Sequence, residues 1–73
     1  MKPPDALRAF GQRLRQLRES AGLSQEKLAE LADLHRNYVG SLERGQSNVS
    51  LLAIVRLAKC LRVKPYQLFD RVR

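Results

Sequence analysis

The sequence predicts an all-α fold of five short helices in one domain, and three observations support this prediction. Apolar residues recur at three- and four-residue steps along most of the chain, which is the spacing of one face of an α-helix. Residues that favour helix caps stand at the boundaries of these segments. The 73 residues leave room for a single domain over residues 1–73, and 44% hydrophobic residues suffice for a helical core.

Capping residues delimit the first two predicted helices. Asp5 is the expected N-cap of the first helix and Gly22 its stop signal. Ser24 is the expected N-cap of the second helix, and Glu26 suits the helix dipole in its first turn. The apolar faces comprise Leu7, Phe10, Leu14, Leu17 and Ala21 in the first helix, and Leu28, Leu31 and Ala32 in the second.

The remaining three helices follow from the same signals. A third helix is predicted over residues 35–44, since Gly45 can end it. Ser50 can cap a fourth helix that runs through Leu61, and Pro65 opens a short last helix.

The net charge indicates an anionic partner. Fourteen Lys and Arg residues against seven Asp and Glu residues give a formal charge of +7, and nucleic acid is the leading candidate. A membrane surface is the rival anion, but no apolar run approaches the ~18 residues that cross a bilayer. The first four residues also lack the hydrophobic region of a signal peptide. We therefore expect no membrane partner and a cytoplasmic location.

Residues that carry catalytic or metal chemistry are scarce. Cys60 is the only cysteine, which excludes an internal disulfide; we expect a small buried apolar residue, with redox sensing as the alternative. His35 is the only histidine, and no set of nucleophile and base can be assembled around it. The sequence therefore indicates no enzyme, no metal, no cofactor and no small-molecule ligand.

The outward face of the third helix carries groups that can read base edges. In a projection at ~100° per residue, Val39 and Leu42 define the buried side. Opposite them lie Asn37, Gly40, Ser41 and Arg44, with Arg36 at the edge. In a major groove, Arg pairs with guanine, Asn with adenine and Ser with either, and a glycine would allow close approach. An ordinary solvated face with a tolerated glycine is equally compatible with this helix alone.

Four segments together resemble the phage repressor and Cro-type (XRE) helix-turn-helix family: Gly22-Leu23-Ser24-Gln25, Leu28-Ala29, Tyr38-Val39 and Leu42-Glu43-Arg44-Gly45. The resemblance covers nearly the whole chain. It implies a lambda-repressor-like domain of bacterial or phage origin, in which the second and third helices, at about residues 24–44, bind double-stranded DNA.

Within that family the chain is most similar to the controller proteins of restriction-modification systems. The similarity is carried by Phe10-Gly11-Gln12-Arg13-Leu14-Arg15, Arg36-Asn37-Tyr38-Val39-Gly40, Glu43-Arg44-Gly45-Gln46 and Asn48-Val49-Ser50-Leu51. Such proteins are small homodimers that regulate their own gene and the endonuclease gene, and RNA polymerase is a further candidate partner. An antitoxin or a phage-type repressor is the nearest alternative, and a module that binds only protein is a more distant one.

The resemblance also assigns roles to individual residues. Arg36, Asn37 and Ser41 match base-reading positions, whereas Arg18 and Glu43 match a structural ion pair. The positions that match contacts to the DNA backbone are Gln25, His35, Tyr38, Arg44, Gln46 and Asn48. For Gln25 a merely solvated position is the alternative, and for Tyr38 packing against the second helix.

Several positions depart from the family pattern. Asp33 stands where a turn glycine is usual, and His35 where Asp, Ser or Thr usually caps the recognition helix. Asn37 replaces a small hydroxyl residue, and Ser47 replaces an arginine that is frequent in controller proteins. These departures predict a target sequence that differs from those of typical controllers.

The fourth helix predicts a dimer, because its apolar residues cover far more than a ~100° stripe. A chain this short buries only about 60% of its unfolded surface, and association is one remedy. The expected dimer interface comprises Leu51, Leu52, Val55 and Tyr66. The alternative is a central helix buried entirely by its own domain. In a dimer, two recognition helices would lie about 34 Å apart and read half-sites ~10 base pairs apart.

Overall fold

Four α-helices and one short 3-10 helix make up the fold in the computed structural model, which describes residues 1–72. The elements are α1 (Pro3–Ser20), α2 (Gln25–Ala32), α3 (Arg36–Glu43), α4 (Leu51–Leu61) and the 3-10 helix (Pro65–Phe69). The all-α prediction is confirmed, but the expected fifth α-helix is not formed. That last segment has only five residues and closes i to i+3 bonds, such as Gln67 N–H to Lys64 O at 2.9 Å.

The N-cap of α1 is Lys2, so the prediction of Asp5 as the cap is wrong. Pro3 and Pro4 occupy the first helical positions, which suit proline because an N–H there has no acceptor within the helix. Asp5 consequently lies inside the first turn. At the other end of α1 the chain turns at Gly22, whose φ of +72° agrees with the predicted stop.

The start of α2 agrees with the sequence, whereas its buried face differs. The Ser24 hydroxyl accepts a hydrogen bond from Lys27 N–H at 3.0 Å, which confirms the predicted cap. The helix ends at Asp33, a left-handed residue with φ +56°. Leu31 is exposed and Ala29 is buried in its place. Leu31 and Ala29 both fit the helical spacing of the apolar residues on α2. The position of the neighbouring helices therefore decides which of the two faces inward.

Local caps also begin α3 and α4. The ring Nδ1 of His35 accepts a hydrogen bond from Asn37 N–H at 3.0 Å, so this histidine replaces the usual hydroxyl or carboxylate cap. Gly45, with φ +72°, follows the end of α3. The Ser50 hydroxyl accepts from Ala53 N–H at 3.0 Å and caps α4, as predicted.

The core lies where all four α-helices and the 3-10 helix converge. Its fully buried large side chains are Leu14, Leu28, Val39, Leu42, Leu57 and Leu68. Cys60 packs against this core but is only half-buried. The backbones of α1 and α3 meet at Gly11, where a Cβ atom would lie 2.4 Å from the carbonyl oxygen of Leu42. This contact fixes the position of α3 against α1.

Within residues 1–72, no helix combines the length and the apolar character that a membrane span requires.

Candidate nucleic-acid interface

A largely buried, hydrogen-bonded ion pair holds α3 against α1. Arg18 Nε lies 2.6 Å from Glu43 Oε2, and its Nη2 lies 3.0 Å from Oε1, which is a bidentate arrangement. The Arg18 and Glu43 side chains are only 11% and 3% exposed. The hydrogen bond to Glu43 raises the pKa of Arg18 above its ordinary value, against an opposing effect of burial. The guanidinium therefore stays charged at every ordinary pH.

Two further hydrogen bonds tie this pair to the start of α2. Arg18 Nη1 donates to the carbonyl oxygen of Leu23 at 2.8 Å, and Gln25 Nε2 donates to Glu43 Oε1 at 3.0 Å. Gln25 was expected at a DNA phosphate or in solvent. In the free protein its amide instead completes the ion-pair network, which sets the angle between α2 and α3.

Above this network, α2 and α3 form an open concave surface that encloses a volume of about 510 Å³. This surface is called here the α2–α3 concavity. It is lined by Arg18, Ser24, Gln25, Glu26, Arg36, Asn37, Gly40 and Arg44. Because Arg18 is already paired with Glu43, the charged groups that remain to face an incoming molecule are two arginines, Arg36 and Arg44, and one carboxylate, Glu26. The surface is suited to an anionic partner with hydrogen-bonding edges.

The three predicted base-reading residues lie in different environments. Arg36 and Asn37 are exposed at the rim of the α2–α3 concavity. Arg36 Nη1 also donates to Glu26 Oε2 at 3.3 Å. Ser41 is only half-buried on the other flank of α3, and its hydroxyl shares a hydrogen bond with the hydroxyl of Ser47. Ser41 therefore also links the recognition helix to the following loop, a contact that the helical projection could not reveal.

Gly40 does not face outward as the projection placed it. The residue is buried, and a Cβ atom there would lie 3.1 Å from Arg44 Nη1 and 3.4 Å from Gln25 Oε1. The missing side chain makes room for the side chains of Gln25 and Arg44, which cross the floor of the concavity. In the free protein, Gly40 thus allows these two polar side chains to pack closely against α3.

Three of the residues expected at the DNA backbone follow α3, and a fourth precedes it. Arg44 Nε donates to Gln46 Oε1 at 2.9 Å, and both side chains are exposed. His35 is exposed at the opposite end of α3, where it caps the helix. Asn48 is exposed in the loop that precedes α4. Of these four residues, Arg44 lines the α2–α3 concavity and contacts Gln46, whereas His35 and Asn48 lie outside its lining.

Tyr38 has a role that the sequence did not reveal. Its ring packs against the core, and its hydroxyl donates to the carbonyl oxygen of Asn48 at 3.1 Å and accepts from Ser50 N–H at 3.1 Å. The hydroxyl has a single proton, already used on Asn48, so a bond from Tyr38 to a phosphate requires that this contact break. Tyr38 holds the 46–50 loop against α3.

A second surface of different character lies on α4 and the 3-10 helix. Leu51, Leu52, Val55 and Tyr66 are 77%, 56%, 49% and 68% exposed, and they are called here the apolar patch. The opposite face of α4 is buried in the core through Ala53, Leu57, Ala58 and Leu61. The domain therefore leaves the apolar residues of this patch uncovered, and the alternative of a fully self-buried α4 does not hold for the single chain.

The fold and the α2–α3 unit define the class to which the chain belongs. Residues 14–68 match the family described as Helix-turn-helix, and the chain is a member of that family. The resemblance noted in the sequence is thereby confirmed.

The chain is similar to several control proteins within the family. Control protein C.BamHI of Bacillus amyloliquefaciens is 52% identical over 62 residues, which cover 84% of this chain and 76% of that protein. Control protein C.SmaI of Serratia marcescens is 40% identical over 67 residues, covering 92% and 80%. The crystal structure of the restriction-modification controller protein C.AhdI from Aeromonas hydrophila superposes with a TM-score of 0.85 at 59% identity, covering 86% of this chain and 96% of that one.

Proposed function

We propose that this protein is a sequence-specific regulator of transcription that binds double-stranded DNA as a homodimer and controls a restriction-modification system. The observation that carries the proposal is the α2–α3 concavity, an exposed polar surface of the helix-turn-helix framed by the Arg18–Glu43 pair. The similarity to control proteins C.BamHI and C.SmaI supports the biological role.

In this proposal α3 enters the major groove. Arg36 and Asn37 meet base edges there, because their exposed side chains offer the donors and acceptors that guanine and adenine match. Ser41 would reach a base only on exchanging its bond to Ser47. Side chains on α2, next to both ends of α3 and in the following loop anchor the recognition helix on phosphates without reading sequence: Gln25, His35, Arg44, Gln46 and Asn48. Tyr38 would join them only on giving up its bond to the Asn48 carbonyl oxygen. The formal charge of +7 adds attraction to any duplex, which salt weakens.

The apolar patch serves as the dimer interface. Four large side chains that are 49–77% exposed would bury substantial apolar area against a second copy, at roughly 25 cal/mol per Å². A two-fold axis at α4 would present two copies of α3 to successive major grooves, with half-sites ~10 base pairs apart. Occupancy of the promoter would then rise with protein concentration through dimer formation, and contact with RNA polymerase would decide between activation and repression.

Selection of bound duplexes from a random DNA pool at roughly physiological salt tests the DNA-binding role. We expect enrichment of a palindrome with half-sites about one helical turn apart. The Arg36→Ala variant should lose the preference at one position of each half-site. Arg15→Ala is the matched control, because Arg15 is exposed on α1, 3.5 Å from Glu19, and does not line the concavity. If the native protein enriches no site and binds all duplexes alike, the proposal is wrong.

Sedimentation equilibrium tests the dimer. Leu52→Asp should give a folded monomer, because the side chain is already 56% exposed in the single chain. Leu31→Asp is the matched control, since Leu31 is 52% exposed on α2, outside the apolar patch, and should leave the dimer intact. A monomeric native protein, or a Leu52→Asp variant that still dimerises, would exclude this interface.

A further inference from the structure

Glu26 is the charged group in the α2–α3 concavity that DNA binding by phosphate attraction does not explain. Its side chain is 72% exposed in the first turn of α2 and lines the same surface as Arg36 and Asn37. A carboxylate has only acceptor atoms, so it repels phosphate oxygens. The partners on a DNA duplex that satisfy it are the exocyclic amines of the bases, above all N4 of cytosine.

The structure pairs this carboxylate with Arg36. Arg36 Nη1 donates to Glu26 Oε2 at 3.3 Å, and both side chains are free to turn toward the groove because 63% and 72% of their surfaces are exposed. A guanidinium carries five donors and a carboxylate accepts at both oxygens. The contact between them therefore leaves a pair of guanidinium donors and one carboxylate oxygen available, side by side.

That order of groups matches one type of base pair. The major-groove edge of a G·C pair presents two acceptors, guanine N7 and O6, followed by one donor, cytosine N4. An A·T pair presents acceptor, donor and acceptor, which two donors and one acceptor in sequence cannot match. We propose that Glu26 and Arg36 act as a single base-reading unit for one G·C pair in each half-site, with Arg36 on guanine and Glu26 on the amine of cytosine.

This inference rests on the proposed function and names a specificity-determining residue that lies on α2, outside the recognition helix. Discrimination at the G·C pair should be about 5- to 150-fold, the range of one well-formed bidentate contact.

A double-mutant cycle between protein and DNA tests the pairing of Glu26 with cytosine. The duplex is the site selected by the native protein, and the cytosine opposite the Arg36-dependent guanine is replaced by 2-pyrimidinone, which lacks the 4-amino group. The native protein should lose roughly 10-fold in affinity through the missing charged hydrogen bond. Glu26→Ala should show no such loss, because the variant has no acceptor for that amine.

Glu30→Ala is the matched control. Glu30 also lies on α2, pairs with Lys27 at 3.7 Å and does not line the concavity, so its removal changes the net charge equally without touching the unit. This variant should respond to 2-pyrimidinone as the native protein does. An equal loss for native protein and Glu26→Ala would overturn the inference while leaving the proposed function intact. Failure of the native protein to select any site would instead overturn the proposed function.

Discussion

Replacement of Arg18 by methionine should cost this small domain much of its stability. Glu43 is 3% exposed and accepts hydrogen bonds from Arg18 at 2.6 and 3.0 Å and from Gln25 at 3.0 Å. Arg18→Met removes the two charged donors and leaves a buried carboxylate with one amide partner. Loss of one partner from a buried pair costs about 3–5 kcal/mol.

The expected loss is a large fraction of the total free energy of unfolding, so it can be measured readily. At roughly 0.05–0.15 kcal/mol per residue, a chain of 73 residues has a free energy of unfolding of about 4–11 kcal/mol. Arg18→Met should therefore remove about a quarter or more of it. The methionine keeps most of the apolar stem of the arginine, so lost packing contributes little.

Urea denaturation followed by circular dichroism measures the effect. Arg15→Met is the control, because Arg15 is 64% exposed beside Glu19 and should cost under about 1 kcal/mol. The double variant Arg18→Met/Glu43→Leu should recover most of the stability, since no buried charge remains. A loss below about 1 kcal/mol for Arg18→Met alone would refute the reasoning, as it would equate the pair with a surface ion pair.

The pH dependence of this effect follows from the raised pKa of Arg18. The folded-state pKa lies above the unfolded value, so the stability from this charge is fully present below the ordinary pKa of arginine and is lost only as the pH rises past it. The part of the stability loss in Arg18→Met that comes from the missing arginine charge should therefore be the same at about pH 6 and about pH 8.

Three further substitutions test the fold and the loop. Gly11→Ala places a Cβ atom 2.4 Å from the Leu42 carbonyl oxygen and should destabilise by about 1–3 kcal/mol in urea titrations, because two backbones must separate. Asp33→Gly relieves a left-handed residue at φ +56° and should raise the free energy of unfolding by up to about 1 kcal/mol, whereas a decrease would show that the aspartate makes a compensating contact. Tyr38→Phe deletes two hydrogen bonds of 3.1 Å and should cost about 1 kcal/mol, with faster amide hydrogen exchange confined to residues 46–50. Unchanged exchange there would exclude the tethering role of Tyr38.

Helix boundaries set by local chemistry were the part of the fold best predicted from sequence. Ser24 and Ser50 cap their helices because a hydroxyl needs only the N–H groups of the next turn. Asp5 failed as a cap because two preceding prolines already suit the first helical turn, and the sequence signals for the two starts are similar in strength.

Side-chain partners across elements were the part that sequence patterns could not supply. Leu31 and Ala29 both fit helical spacing, and the position of α4 leaves the leucine outside. The contact of Ser41 with Ser47 and that of Tyr38 with the loop backbone depend on how the 46–50 loop folds back on α3. The spacing of apolar residues within a helix does not predict how a loop folds back on that helix.

The ion pair illustrates a third case. Arg18 and Glu43 are 25 residues apart, so spacing alone could not pair them, and the resemblance to the helix-turn-helix family suggested the pairing that the structure contains. For Glu26 the sequence predicts only a favourable position at the start of the helix dipole. Its contact with Arg36 depends on how α2 packs beside α3, which residue spacing does not predict.

Methylation interference on the selected DNA site would show where α3 lies. Methyl groups on guanine N7 stand in the major groove, and methyl groups on adenine N3 stand in the minor groove. If two copies of α3 read the site through Arg36, interference should occur at guanine N7 in two clusters about 10 base pairs apart. Interference confined to adenine N3, or absent from both grooves, would contradict a recognition helix in the major groove.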